Sequence, residues 1–142
     1  MRRRVFFLAS LAGCAVACTN PDASLKIVTV APPPGTTIRF SADVQPIFTR
    51  SCAFLGCHAG TSPAQGLNLE SGNAYGNLVN VQSAEIADVV RVNPGMSAAS
   101  YLVRKLEGTS IVGERMPFGG PYLPDAEIQV IRDWIDQGAD NN

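Results

Sequence analysis

Histidine is scarce in this sequence. The chain has 142 residues and a single histidine, His58. One histidine excludes ligation of a metal by two histidines within the chain, and any Ser/His/Asp triad would have to use His58 itself. A glycine-rich phosphate-binding loop is also missing. Triad hydrolysis and phosphate-loop chemistry are therefore poorly supported.

The N-terminus has only a short apolar stretch. Three arginines at positions 2–4 precede an apolar segment that ends in small residues before Cys14. The stretch is too short for a transmembrane helix, which needs about 20 apolar residues. Its basic, apolar and small-residue regions are those of a secretory signal peptide, so residues 1–18 are predicted to be a signal peptide.

Two cysteines near the end of this leader are candidates for lipidation. Leu11-Ala12-Gly13-Cys14 resembles a bacterial lipobox, in which the cysteine becomes the lipidated first residue, whereas the sequence before Cys18 matches less well but gives a more usual leader length. The alternative is ordinary signal-peptidase cleavage, which would leave a soluble secreted protein. We expect an exported protein, lipid-anchored to a bacterial membrane on its periplasmic or cell-surface side.

Positive charge is scarce once the leader is removed. Loss of its three arginines reduces 11 basic residues to 8, against 12 acidic residues, for a net charge near −4. No basic run remains, which argues against a nucleic-acid partner. The remaining length fits one small domain. Residues 19–37 begin polar, continue with an alternating segment from Leu25 to Val30 that could be a short strand, and then contain Pro32-Pro33-Pro34-Gly35. They are predicted to be a flexible tether, and residues 38–142 the folded domain.

Helical periodicity predicts an all-α domain. A first helix begins at the N-cap Ser41 and continues to Arg50, and a short helix covers Ala74 to Val79. Ser97 caps a third helix over Ala98 to Leu106, which Gly108 ends. The last helix, Pro124 to Gln137, has apolar residues at helical spacing and Gly138 as its C-cap. We expect the first and last helices to pack on each other.

The motif with most chemical content is Cys52-Ala-Phe-Leu-Gly-Cys57-His58. Two thiols followed by an imidazole are what covalent attachment of a c-type haem requires, because the thiols add to the porphyrin vinyl groups and the imidazole reaches the iron. Four residues separate the cysteines here instead of the usual two, so the backbone between them must bulge outward. Gly56 can provide that bend.

Two other interpretations of this motif remain open. Cys52 and Cys57 could form a disulfide in an oxidising compartment, which would leave His58 an ordinary surface residue. The same residues could bind zinc, although a closed tetrahedral site needs four ligands and the mature chain has few other donors.

A second candidate ligand lies in the loop before the last helix. Met116 is part of a Pro/Gly-rich segment that cannot be helical, and its thioether could face a haem. Met96 is the alternative donor, but it lies beside a helix start, where it could simply pack. We therefore choose Met116.

Beyond this motif, the chain resembles a class I cytochrome c domain, in particular the planctomycete-type cytochrome c group of exported bacterial proteins. The similarity covers roughly Ile38 to Asn142. Its segments, in order, are Phe40-Ser-Ala-Asp-Val-Gln-Pro-Ile-Phe, Cys57-His58, Gly66-Leu67-Asn68-Leu69, Asn93-Pro94-Gly95, Ser100-Tyr101-Leu102, Met116-Pro117 and Trp134-Ile135-Asp136-Gln137-Gly138-Ala139.

The resemblance implies a small helical fold with long loops around one covalently attached haem c. It assigns the thioethers to Cys52 and Cys57, the proximal iron ligand to His58 and the distal ligand to Met116. Iron with both axial positions filled exchanges electrons without exposing itself to substrate, so we expect an electron carrier with redox partner proteins and not an enzyme. A peroxidase-like site would need an open iron position and a polar distal pocket. The alternative function is a haem-free, surface-anchored structural or interaction domain with a Cys52–Cys57 disulfide.

Overall fold

The computed structural model describes residues 33 and 35–142, and this part of the chain is helical. Its α-helices are α1 (Gln45–Ser51), α2 (Ala74–Leu78), α3 (Tyr101–Glu107) and α4 (Asp125–Asp136). The described residues contain no β-strand, only isolated bridges. The predicted all-α class is therefore confirmed.

The first helical segment begins at Phe40, one residue before the predicted N-cap Ser41. A π-helical turn, Phe40–Val44, leads directly into α1. Ser41 is not the N-cap: the Asp43 carboxylate accepts a hydrogen bond from the Arg39 backbone amide at 2.7 Å, while the Ser41 amide donates to the carbonyl of Asn142 at 2.9 Å. The start of the helix is thus held partly by the distant C-terminal segment.

The first and last helical segments pack on each other, as predicted. The rings of Phe40 and Trp134 are 5.1 Å apart between centroids. Near the other end of the pair, the Arg50 guanidinium contacts the Glu127 carboxylate at 2.7 Å. The end of α1 and the start of α4 therefore lie at the same end of the pair. The predicted apolar face of α4 is buried, with Trp134 only 1% exposed.

The third helix is shorter than its sequence pattern suggests. The predicted cap Ser97 instead starts a 3-10 turn, Ser97–Ala99, and the helix is interrupted at Ser100, where φ is −79° and ψ is 125°. The Asp136 carboxylate of α4 accepts hydrogen bonds from the amide and the hydroxyl of Ser97, at 2.7 and 2.8 Å. As predicted, α3 ends at Gly108, whose φ of +76° favours glycine.

Several predictions concern residues outside the described part of the chain. The leader at 1–18, with Cys14 and Cys18, lies outside it, as does most of the tether predicted at 19–37. Within residues 33 and 35–142, no helix combines the length and the apolar character needed to cross a membrane.

Removal of a buried leucine tests the core. Leu78 is fully buried in the core cluster, whereas Leu55 is 84% exposed. We expect Leu78→Ala to lower the free energy of unfolding by about 2 to 5 kcal/mol, because it loses apolar burial and leaves a cavity. The matched control Leu55→Ala should change it by less than about 0.5 kcal/mol. Denaturant unfolding of both variants measures the difference, and equal effects would contradict this core assignment.

Candidate functional site

Helix α1 leads directly into the two cysteines. Cys52 is the C-cap of α1 and is half-buried against the core, and its amide still donates to the carbonyl of Phe48 at 2.9 Å. Cys57 is exposed, and both residues carry free thiols. Burial raises the pKa of the Cys52 thiol to about 11; the charge of Cys57 adds to this and that of Arg50 opposes it. Cys52 therefore keeps its S–H hydrogen at neutral pH.

The four residues between the cysteines form a tight turn. The Cys57 amide donates to the Phe54 carbonyl at 2.9 Å, and Gly56 has a φ of +84°, as the third residue of a type II turn requires. The His58 amide then donates to the carbonyl of Cys52 at 3.3 Å, which brings the chain back to the end of α1. The predicted outward bulge at Gly56 is thus present, with Leu55 at its exposed tip.

Two backbone positions, Leu67 and Ala64, act on the imidazole of His58. Its Nδ1 lies 3.1 Å from the carbonyl oxygen of Leu67. A carbonyl can only accept, so Nδ1 carries the hydrogen and, in the neutral ring, the lone pair is on Nε2. Burial lowers the pKa of His58, although the Leu67 carbonyl acts in the opposite direction. A neutral ring with a free Nε2 lone pair is the form of histidine that binds a metal.

A network of polar residues holds the loop that carries Leu67. The Leu69 amide donates to the His58 carbonyl at 2.8 Å, and the Leu69 carbonyl accepts from the buried Gln45 side chain of α1 at 3.0 Å. On the other side, the Arg91 guanidinium donates to the carbonyls of Gln65 and Asn77 at 2.7 and 2.8 Å. The position of the His58 ring therefore depends on contacts from α1, α2 and residue 91.

The turn after His58 is fixed by a second polar cluster. The Asn68 amide group donates to the carbonyl of Gly60 at 3.2 Å and to the Glu70 carboxylate at 2.9 Å, and the Gly60 amide donates to the same carboxylate at 3.0 Å. These bonds lower the pKa of Glu70, so the carboxylate remains charged as an acceptor. Sequence analysis did not identify Arg91, Glu70 or the role of the Leu67 carbonyl, because each acts through a contact between distant segments.

Met116 lies in a non-helical loop, as predicted, and this loop is bound to the end of α3. The Met116 amide donates to the carbonyl of Lys105 at 2.9 Å, and Met116 is half-buried. Its neighbour Arg115 donates to the carbonyl of Leu106 at 2.7 Å and stacks on the ring of Tyr122 at 4.1 Å. Met96, by contrast, is 56% exposed.

The end of the α1–α4 pair connects the cysteine segment with the chain that enters α4. The ion pair between Arg50 and Glu127 joins the residues just before Cys52 to the first turn of α4, which the Met116 loop precedes. The charge of Glu85 also acts on His58. Glu85 in turn pairs with the ammonium of Lys105 at 3.2 Å, and the Lys105 carbonyl holds Met116. Glu85 therefore acts on His58 through its charge and on the Met116 loop through Lys105.

Both candidate segments expose large apolar side chains. Five of the six large apolar residues that are exposed in the described part of the chain lie on these segments: Phe54 and Leu55 between the cysteines, and Val112, Phe118 and Tyr122 in the loop before α4. Exposed side chains of this kind can contact an apolar group.

Within the described residues, metal-binding side chains are not grouped to hold an ion, and this includes Cys52, Cys57 and His58. Residues 33 and 35–142 contain no cluster of three or more His, Cys, Asp or Glu side chains that could hold a metal ion. The zinc interpretation therefore gains no support from the arrangement of donors.

Comparison of the chain with known protein families, with curated proteins and with solved structures found no match in any of the three.

Two glycines with open surroundings test the turn between the cysteines. A Cβ at Gly56 or at Gly76 would meet no atom within 4 Å, so only backbone conformation distinguishes them. Because Gly56 has a φ of +84°, we expect Gly56→Ala to lower the free energy of unfolding by about 1 to 2 kcal/mol.

The control is Gly76→Ala within α2. Alanine at this helical position should raise the free energy of unfolding by about 0.5 to 1 kcal/mol, because it reduces the conformational freedom of the unfolded chain. Denaturant unfolding compares the two variants, and a neutral Gly56→Ala would contradict the turn geometry.

Proposed function

We propose that this protein is a monohaem c-type cytochrome that carries electrons outside the cytoplasm. The observation that carries the proposal is the His58 imidazole, whose Nδ1 is bonded to the Leu67 carbonyl so that Nε2 has a lone pair for iron. It directly follows a turn that begins and ends with the free thiols of Cys52 and Cys57. The family resemblance of the sequence supports the same conclusion.

The side chains fit covalent attachment of one haem c. Each thiol would add its S–H across a porphyrin vinyl group, with sulfur bonding to one carbon and hydrogen to the other, so no leaving group or oxidant is required. Cys57 is exposed and Cys52 is half-buried, which suits a ring that enters from the surface and comes to lie against the core. The exposed Phe54, Val112 and Phe118 would supply apolar contacts to the ring.

The distal ligand in this proposal is Met116. The Met116 loop is bound to α3 and includes the exposed Val112. The Met96 sulfur, in contrast, accepts a hydrogen bond from Asn93 at 3.5 Å on the surface. A thioether opposite a histidine favours ferrous iron and raises the reduction potential. Both axial positions are then filled, which supports electron transfer and not substrate turnover. The fold proposed with this site is that of a class I cytochrome c.

The cellular setting is part of the same proposal. Haem c is attached after export, which agrees with the signal peptide and the lipid anchor at Cys14 or Cys18 that the sequence predicts. A domain tethered to a bacterial membrane on its periplasmic or cell-surface side would exchange electrons with redox partner proteins at that surface. The chain itself is not proposed to be an enzyme.

Covalent attachment is tested by haem staining on denaturing gels. The full chain is expressed with a c-type cytochrome maturation system, and we expect the wild-type band to stain and a sharp α-band to appear on reduction. The Cys52→Ala/Cys57→Ala double variant should not stain, because haem without thioether bonds leaves a denatured chain. A host cytochrome that stains in the same cells serves as the control for the maturation system.

The outcome that contradicts attachment is a colourless wild-type protein beside a loaded host cytochrome. If Cys52 and Cys57 then react with an alkylating reagent only after reduction, the pair forms a disulfide. The haem-free structural or interaction domain would then be the better description.

The distal ligand is tested with the two methionine variants of the mature domain. In the ferric protein, Met116→Ala should abolish the charge-transfer band from methionine to iron and lower the reduction potential, because the thioether that favours ferrous iron is lost. Met96→Ala is the matched control and should leave both unchanged. If the band persists in Met116→Ala and disappears in Met96→Ala, the assignment is reversed.

A further inference from the structure

Helix α3 contains a buried lysine that the proposed function does not explain. Lys105 is 8% exposed, on the same helix as the buried apolar residues Val103 and Leu106. A buried ammonium group is costly unless it is paired and hydrogen-bonded. The groups that the Lys105 ammonium contacts should therefore indicate why a lysine occupies this position.

The Lys105 ammonium has two oxygen partners. It contacts the Glu85 carboxylate at 3.2 Å, which balances its charge. It also donates to the backbone carbonyl of Val112 at 3.0 Å. The Val112 amide, in turn, donates to the hydroxyl of the buried Tyr101 at 3.1 Å. Both backbone polar groups of Val112 are thus bound by side chains of α3.

The same lysine holds the loop at a second point through its backbone. Its carbonyl accepts the Met116 amide at 2.9 Å, so side chain and main chain of Lys105 together bind residues 112 and 116. Residues Thr109 to Leu123 contain no helix that could hold this segment by itself. The conformation of the loop around Met116 therefore depends on α3, and on Lys105 most directly.

We propose that Lys105 is the positioning residue of the Met116 loop, with Glu85 as its charge partner. By fixing Val112 it sets the path of the chain into Met116 and hence the direction in which the thioether is presented. This inference rests on the proposed function where it concerns iron ligation, but the anchoring of the loop does not require haem.

The test compares Lys105→Met with a control on the same helix. Methionine matches the lysine stem as far as Cε, with sulfur in place of Cδ, and leaves the backbone carbonyl that binds Met116, so the charged group is removed while most of the stem is kept. Glu85→Gln is combined with it so that no unpaired carboxylate remains. The control is Arg104→Met, because the Arg104 side chain makes no hydrogen bond or ion pair within the described residues.

Two measurements are made on the full exported chain. Amide hydrogen exchange at Val112 should become about tenfold to a hundredfold faster in the Lys105→Met/Glu85→Gln variant, because the charged hydrogen bond that orders this residue is lost. In the ferric protein, the methionine-to-iron charge-transfer band should weaken while the amount of covalently bound haem stays the same. Arg104→Met should change neither quantity.

These two measurements separate the failure of this inference from the failure of the proposed function. Unchanged exchange at Val112 together with an unchanged band overturns the role of Lys105. A wild-type chain without haem overturns the ligand role of Met116, and exchange at Val112 then still decides whether Lys105 anchors the loop. A general loss of stability is recognised by faster exchange throughout the core, and it would also overturn a specific positioning role.

Discussion

The packing of the first helical segment on α4 is the constraint on which the rest of this structure depends. Phe40 lies against Trp134 at one end of the pair, and Arg50 reaches Glu127 at the other. This contact brings the end of α1, where Cys52 begins the motif, to the start of α4. Without this packing, the cysteine segment and the start of α4 would not be held in a fixed position relative to each other.

Short polar contacts in the segment after α1 then orient the imidazole of His58. A turn around Gly56 returns the backbone from Cys57 to Cys52, and the Leu67 carbonyl then fixes Nδ1 of His58. The partner of Nδ1 is an uncharged carbonyl oxygen, although the charge of Glu85 also acts on the ring. An uncharged partner leaves the proton on Nδ1 and makes Nε2 the group available for iron.

The parts of the molecule that could be predicted from the sequence are those governed by local pattern. The apolar spacing of α4 predicted its buried face, Gly108 predicted the end of α3, and Gly56 predicted the bend between the cysteines. The motif itself is contiguous, so Cys52, Cys57 and His58 needed no fold to be recognised. Their roles in binding haem remain a proposal.

The predicted helix caps at Ser41 and Ser97 were wrong for the same physical reason, which is contact with segments that are distant in sequence. Ser41 was expected to cap the first helix, but its amide is bound by Asn142, a hundred residues away. Ser97 was expected to start a continuous helix, but Asp136 of α4 binds it and the backbone breaks at Ser100.

Covalent attachment of haem to Cys52 and Cys57 can be measured from the intact mass of the purified exported chain. We expect the mass of one added haem and no thiol at either cysteine that an alkylating reagent can modify. A chain without added haem, in which the two sulfur atoms are bonded to each other, would show that the protein is not a c-type cytochrome.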